Sequence, residues 1–290
     1  MNYEAILRSA GLGVVIGLCG VVINFSPGSA AWEENIGLSL LFELRGHRPP
    51  PSQVVIVSIN GETAEQLGLG EEIPHWPRSI HARLIDRLKE AEAAVIAFDI
   101  FFKKARPPGS NESMVRAIRG AGNVLLVAYL QQQRILDGQT HVDIERLIPP
   151  TEQLAEAALG IAPFVLPKIP VRVSRFWTFT GENRLMSLPA AALQLAADPD
   201  GSRLQNLLLS IGEQPSLSGD WQSQLHTARE IFNDSSLQTR LQEAFAAGEP
   251  ASLTPPQRSL LRSLLALYAG HAYPYINFYG PPWNHTDDSD

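Results

Sequence analysis

Cysteine is almost missing from this chain. The single one, Cys19, lies inside an apolar run, so no disulfide can staple one folded domain, and the rest of the chain has no thiolate nucleophile. A chain without disulfides is permitted in an oxidising compartment without being confined to one. Positive charge is also in short supply: 23 Lys and Arg stand against 30 Asp and Glu, for a net charge of -7. That balance gives no attraction to nucleic acid or to anionic lipid headgroups. A phosphate loop of the Walker kind, a serine nucleophile elbow and a zinc-protease helix motif are all lacking. His75 and His81 straddle an expected helix start at a spacing that makes a poor zinc pair, so polar or packing roles are expected of them. No metal and no cofactor are expected, and little remains for catalysis. Sensing or scaffolding fits the layout better.

Long charged stretches are absent near the N-terminus, where the uncharged run from Ser9 to Trp32 dominates. It is about as long as the ~20 residues a helix needs to cross the hydrocarbon layer. Glu4 and Arg8 precede it and Glu33 and Glu34 follow it, which puts residues 1–8 in the cytoplasm and the large remainder outside. Two alternatives stand beside a retained anchor. One is a secretory signal cut after Ala30 or Ala31, and the other is a buried helix, disfavoured by the glycines. Gly13 and Gly17, four apart, share a helical face, which carries the expectation of a homodimer packed through this helix.

The remaining length suffices for one large domain or two modest ones, and 44% hydrophobic with 18% charged residues suits a packed globule. Ile36, Leu40 and Leu44 predict a helix over 32–44, stopped by the segment Gly46 to Pro51. Val54 to Ile59 reads as a covered central strand ending at Asn60-Gly61. Ile80, Leu84, Ile85 and Leu88 predict an amphipathic helix, and Ala94 to Phe98 a second strand ending at Asp99. Together these form an expected βαβ unit with Asn60 and Asp99 at carboxyl strand ends, where open α/β sheets most often bind ligands. Further on, the pattern predicts a short helix around Val115 and Ile118, a strand over 123–130 and an exposed excursion or hairpin over 131–145. A short helix over 152–158 follows, then a proline-rich stretch over 160–170 with no long element. An alternating strand over 171–179 leads through a turn at 181–183 to residues 185–187. Beyond it are expected a helix over 190–197, a strand over 207–211, helical pieces over 221–231 and 237–247, a helix over 257–269 and a strand over 275–279.

The expected fold class is α/β, a mixed, largely parallel sheet with flanking helices, preceded by one transmembrane helix. Its expected parts are a cytoplasmic 1–8, a transmembrane 9–31, an extracytoplasmic domain over 32–282 with a helical insertion near 215–256, and a polar tail over 283–290. Asn60, Trp76, Arg78, Asp99 and Lys103 are the ligand-binding candidates. Arg78 has two readings, neutralising Asp99 across the sheet edge or binding an anionic ligand. Trp76 reads first as packing and second as a stacking platform. Asp99 reads as a functional carboxylate near Lys103 and Lys104, or as a structural one.

These landmarks occur in a recognisable order. Val54 to Asn60, Trp76-Pro77-Arg78-Ser79-Ile80-His81, Leu84 to Leu88, and Ala94 to Phe102 resemble the type-two CHASE family, as do Leu188 to Leu195 and Tyr275 to Pro281 further on. The resemblance implies an extracytoplasmic sensory domain on a membrane-bound signalling protein, passing ligand or partner binding to a cyclase, diguanylate cyclase or kinase output. The expected partners are a small molecule or an envelope protein, with the lipid bilayer around the anchor and no nucleic acid. The chain departs from the family pattern at Asn60, where members usually carry an acid, and at Asn111-Glu112, after the second strand's connector. The later membrane helices common in the family do not follow Pro282, so a fragment of a longer receptor is expected, or else a module without its own output. A protein-interaction scaffold without ligand switching is the alternative function.

Overall fold

A computed structural model describes residues 36–49, 51–70, 75–166 except 105, 108, 138 and 139, 175–180, 185–210 and 254–270. It also describes scattered positions over 11–21 and 227–243, together with 173, 274–277 and 279. The chain divides into two compact units. One comprises Met1–Ile56, Lys168–Ser174 and Tyr275–Asp290, the other Val57–Pro167 and Arg175–Pro274.

In the first unit, helix α1 (Leu38–Arg45) forms where expected and stops at Gly46, whose φ of 73° is a conformation glycine adopts without steric cost. Arg45 Nη1 donates to Asn277 Oδ1 at 2.5 Å, and the Arg48 N–H donates to the Tyr279 carbonyl at 2.9 Å. No residue of α1 is buried. The strand expected over 275–279 is not formed among the described residues, where only Tyr275 makes an isolated bridge.

The membrane helix expected over 9–31 requires correction. Among the described residues no helix is long and apolar enough to cross a membrane. The described positions of that stretch, 11, 13–18, 20 and 21, are helical. The single-pass placement with the large domain outside rested on that helix and is corrected with it. Gly13 and Gly17 are helical, and a Cβ added to either meets nothing within 4 Å.

The second unit is built on strand β2 (Val124–Asp137). Its first half lies between β1 (Ile96–Phe98) and β4 (Gly160–Pro163), parallel to both, with Leu125 opposite Ala97 and Gly160. Its second half pairs antiparallel with β3 (Thr140–Ile148), from Tyr129 opposite Ile148 to Asp137 opposite Thr140, the hairpin expected of residues 131–145. Because successive strand residues face opposite ways, β2 feeds two cores. Val124 and Leu126 join Ile96 and Phe98 on one face, packed by α3 (Arg78–Glu90), α4 (Glu112–Ala121) and α5 (Glu152–Ala157). Leu125 and Val127 join Ala162 on the other, packed by α6 (Leu188–Ala197) and α8 (Pro255–Ala269). Each of the Val, Leu, Ile and Phe side chains among these contributes ~2 kcal/mol by leaving water. A small antiparallel pair, β5 (Phe179–Thr180) with β6 (Leu185–Met186), flanks α6.

The mixed, largely parallel sheet of the expectation is present, but with other members. Residues 54–59 form no strand, and Ile56 is 87% exposed. A β-branched run becomes a strand only when a neighbour takes its backbone groups, and among the described residues no ladder joins this run. The parallel unit is instead β1–α4–β2, closed at Gly122 (φ 73°), which ends α4 in the left-handed conformation. The strand expected over 207–211 is the end of helix α7 (Ser202–Ser210). Buried Asp198 accepts from the Arg203 and Leu204 N–H groups and so fixes the start of that helix. The turn over 181–183 and the tail over 283–290 lie outside the described residues, as does most of the insertion over 215–256.

Candidate functional site

Helix α3 explains why its first turn is unusual. Its buried residues are Arg78, His81, Ala82 and Ile85, spaced as one stripe of a 3.6-residue helix. The stripe therefore begins with two nitrogen bases and only then turns apolar. Of the expected apolar residues Ile80, Leu84, Ile85 and Leu88, Ile85 lies in this stripe and the other three are half-buried beside it.

Both bases meet the ring of Phe102, which is 1% exposed. The Arg78 guanidinium carbon stands 4.4 Å from the ring centroid, and the His81 ring lies 5.2 Å away, tilted by 51°. Phe98 closes the same group, 5.9 Å from Phe102 and 6.2 Å from His81. The Thr151 N–H donates to the Phe102 carbonyl at 2.9 Å, which ties this residue to the start of α5. Trp76, 2% exposed, donates its indole N–H to the Gly70 carbonyl at 2.6 Å, while its own carbonyl accepts from Arg106 Nη2 at 3.4 Å.

Electrostatics at this place runs in one direction. Burial, and then the Arg106 guanidinium, push Arg78 down to about 10. Burial, then Arg78, then Arg106, push His81 down to about 4. No carboxylate offsets either shift. Arg78 is 4% exposed, forms no ion pair among the described residues, and its Nε has no hydrogen-bond partner; His81, 1% exposed, has an equally unpartnered Nε2. A buried polar atom without a hydrogen-bonding partner is costly, and this first turn carries two of them.

Of the expected site residues, Trp76 and Arg78 come together here. Asp99 and Lys103 do not: both are exposed, and no hydrogen bond or ion pair joins them to each other or to Arg78. Burial alone raises the Asp99 carboxyl, so the expected Arg78 pairing across the sheet edge is not formed. Asn60 is elsewhere in role as well. It caps α2 (Gly61–Gln66), accepting from the Thr63 N–H at 2.9 Å, while its own N–H faces the Thr63 hydroxyl. The expectation that Asn60 ends a strand beside Asp99 is thereby corrected. His81, Phe102 and Arg106 were missed as members of the group. The available signal was the helical phase set by Arg78, which returns at His81, Ala82 and Ile85.

Among the described residues no group of three or more His, Cys, Asp or Glu is placed to hold a metal. The arrangement is that of a mixed α/β domain with a buried Arg78–His81 pair at the Phe102 ring. The CHASE2 domain family matches residues 15–285, and the chain belongs to this family. CHASE2 domains are sensory and non-catalytic, so this chain is a sensory module and not an enzyme. Family membership, rather than any membrane helix, supports an extracytoplasmic sensory role. No curated protein and no solved structure matches the chain.

Proposed function

We propose that the chain is the input module of a signal-transduction protein. In this reading it converts binding of a small molecule into altered activity of a cyclase, diguanylate cyclase or kinase output. The observation that carries this reading is the CHASE2 match across residues 15–285. Supporting it is a chemical asymmetry: in a chain of net charge -7, Arg78 and His81 are buried with Nε and Nε2 unpartnered, and among the described residues Arg78 forms no ion pair. Transmission requires two states of the domain with different affinities for the ligand, since a ligand that binds both equally shifts nothing.

The test is to join the chain to a diguanylate cyclase reporter and follow cyclic dinucleotide levels while candidate small molecules are supplied. Output that changes with one of them, and stops changing when Arg78 is replaced by Gln, supports the reading. Output that stays constant although the chain binds the molecule favours the scaffold alternative.

A further inference from the structure

The core on the other face of β2 holds a helix whose beginning is buried and uncapped. Helix α6 starts after Ser187, 1% exposed, where a serine ordinarily accepts from an N–H of the first turn. Here it makes no such bond, and its Oγ has no hydrogen-bond partner. Pro189 brings no N–H, and among the described residues neither the Leu188 nor the Ala190 N–H has an acceptor. Both of those residues are buried. A further hydroxyl comes from the strand alongside. The Ser187 N–H donates to the Thr178 carbonyl at 2.9 Å, which continues the register of Phe179 opposite Met186 and puts Thr178 opposite Ser187. Side chains opposite one another in an antiparallel pair share a face, with Cβ atoms about 5 Å apart. Thr178 is 2% exposed, and its Oγ1 is also without a partner. The next hydroxyl on that face, Thr180, is satisfied by the Leu185 carbonyl at 3.3 Å, so the deficit belongs to the start of α6 and not to this strand pair in general.

We propose that the start of α6, together with Ser187 and Thr178, is a binding site for a carboxylate group. The groups that would hold it are Ser187 Oγ, Thr178 Oγ1 and the N–H groups of Leu188 and Ala190. Backbone amides only donate and hydroxyls are able to, so the complement must offer acceptor oxygens. The partial positive charge of a helix N-terminus favours an anion over a neutral carbonyl. An ionised carboxylate accepts only, and its two oxygens present about four lone-pair sites, one for each of these groups. The site lies in the other core from Arg78 and His81, and it goes beyond the sensory reading, because binding here is independent of any output.

The experiment uses the purified full chain and acetate as the probe, with acetamide as an uncharged counterpart of the same shape. Calorimetry reads affinity, and the amide resonances of Leu188 and Ala190 report occupancy. The expected result is saturable acetate binding that moves both resonances, with acetamide weaker by about tenfold or more. Ser187→Ala and Thr178→Val are each expected to weaken acetate by about fivefold or more. Ser202→Ala, which removes a hydroxyl that Asp200 already engages at the start of α7, leaves affinity unchanged. Because Ser187→Ala and Thr178→Val replace unpartnered hydroxyls by apolar groups, the melting temperature without acetate stays equal or rises. A fall in both variants would assign the hydroxyls to the fold and overturn the site. Should Ser187→Ala fail to fold, Thr178→Val and the wild-type resonances decide. Amide resonances that stay fixed as acetate is added leave a trapped water as the occupant and overturn the site, as does affinity unaltered in Thr178→Val. Equal affinity for acetamide overturns the choice of a charged group.

Discussion

Helices α2 and α3 begin close together in sequence and treat their first turns in opposite ways. Asn60 gives its side-chain oxygen to the Thr63 N–H, and Thr63 returns its hydroxyl toward the Asn60 N–H, so the start of α2 is closed on itself. At the start of α3, Pro77 provides no such cap, and Arg78 and His81 are turned inward with Nε and Nε2 unpartnered. Of these two loop-to-helix junctions, one is satisfied locally and the other leaves Arg78 Nε and His81 Nε2 without partners. Local satisfaction marks structure.

The largest expected effect tests what holds the α3 junction in place. Trp76→Ala removes a buried indole and its hydrogen bond to Gly70, and should lower unfolding free energy by about 3–5 kcal/mol in denaturant titrations. A loss well under 1 kcal/mol would mean that Trp76 does not brace the junction. Next comes pH. His81 sits at about 4 in the folded chain against an ordinary 6.5. As pH falls through that interval the unfolded chain takes up the proton first, so stability is complete above ~6.5 and declines on the order of 2 kcal/mol toward pH ~4. His81→Gln should remove that part of the slope, and an unchanged slope would place its origin elsewhere.

Smaller effects sharpen the contrast itself. Asn60→Ala should cost about 1 kcal/mol, because it strips a cap from α2, while Asn60→Asp should retain the stability. Arg78→Met should fold with a stability within about 1 kcal/mol of the parent or above it, since replacing an unpartnered buried cation by an apolar chain relieves desolvation and forfeits only the Phe102 contact. A loss of several kcal/mol would show that Arg78 is structural after all. The smallest change is expected from Ile56→Thr, within about 0.5 kcal/mol, as Ile56 is exposed. A large loss there would restore residues 54–59 to the folded sheet.

Legibility followed the physics of each signal. Helices α1, α3, α4, α5, α6 and α8 were readable because amphipathic spacing is a local property, and Gly46 and Gly122 end their helices for steric reasons that any neighbourhood preserves. The run over 54–59 looked like the best strand in the chain. Among the described residues no ladder joins it, because β-propensity describes a fit to partners and not an intrinsic preference. The reverse holds for β4, hidden in a proline-bearing stretch that pairs with β2 nonetheless. Helix α7 was mistaken for a strand because Leu207-Leu208-Leu209 is apolar without a period, and the Asp198 cap that decides the matter lies outside the run.

The amino-acid sequence by itself determined the α/β character, most helices, the strands at 96–98 and 124–130, the lack of disulfide chemistry and the resemblance that family membership confirmed. These are consequences of composition, periodicity and the order of short motifs, which act over a few residues. Tertiary structure alone decided which polar residues stand together. It separated Asn60 and Asp99 from Arg78, and it brought Phe102 to it. The reason is that burial and electrostatic coupling depend on distances between elements far apart in the chain, and no local spacing encodes them.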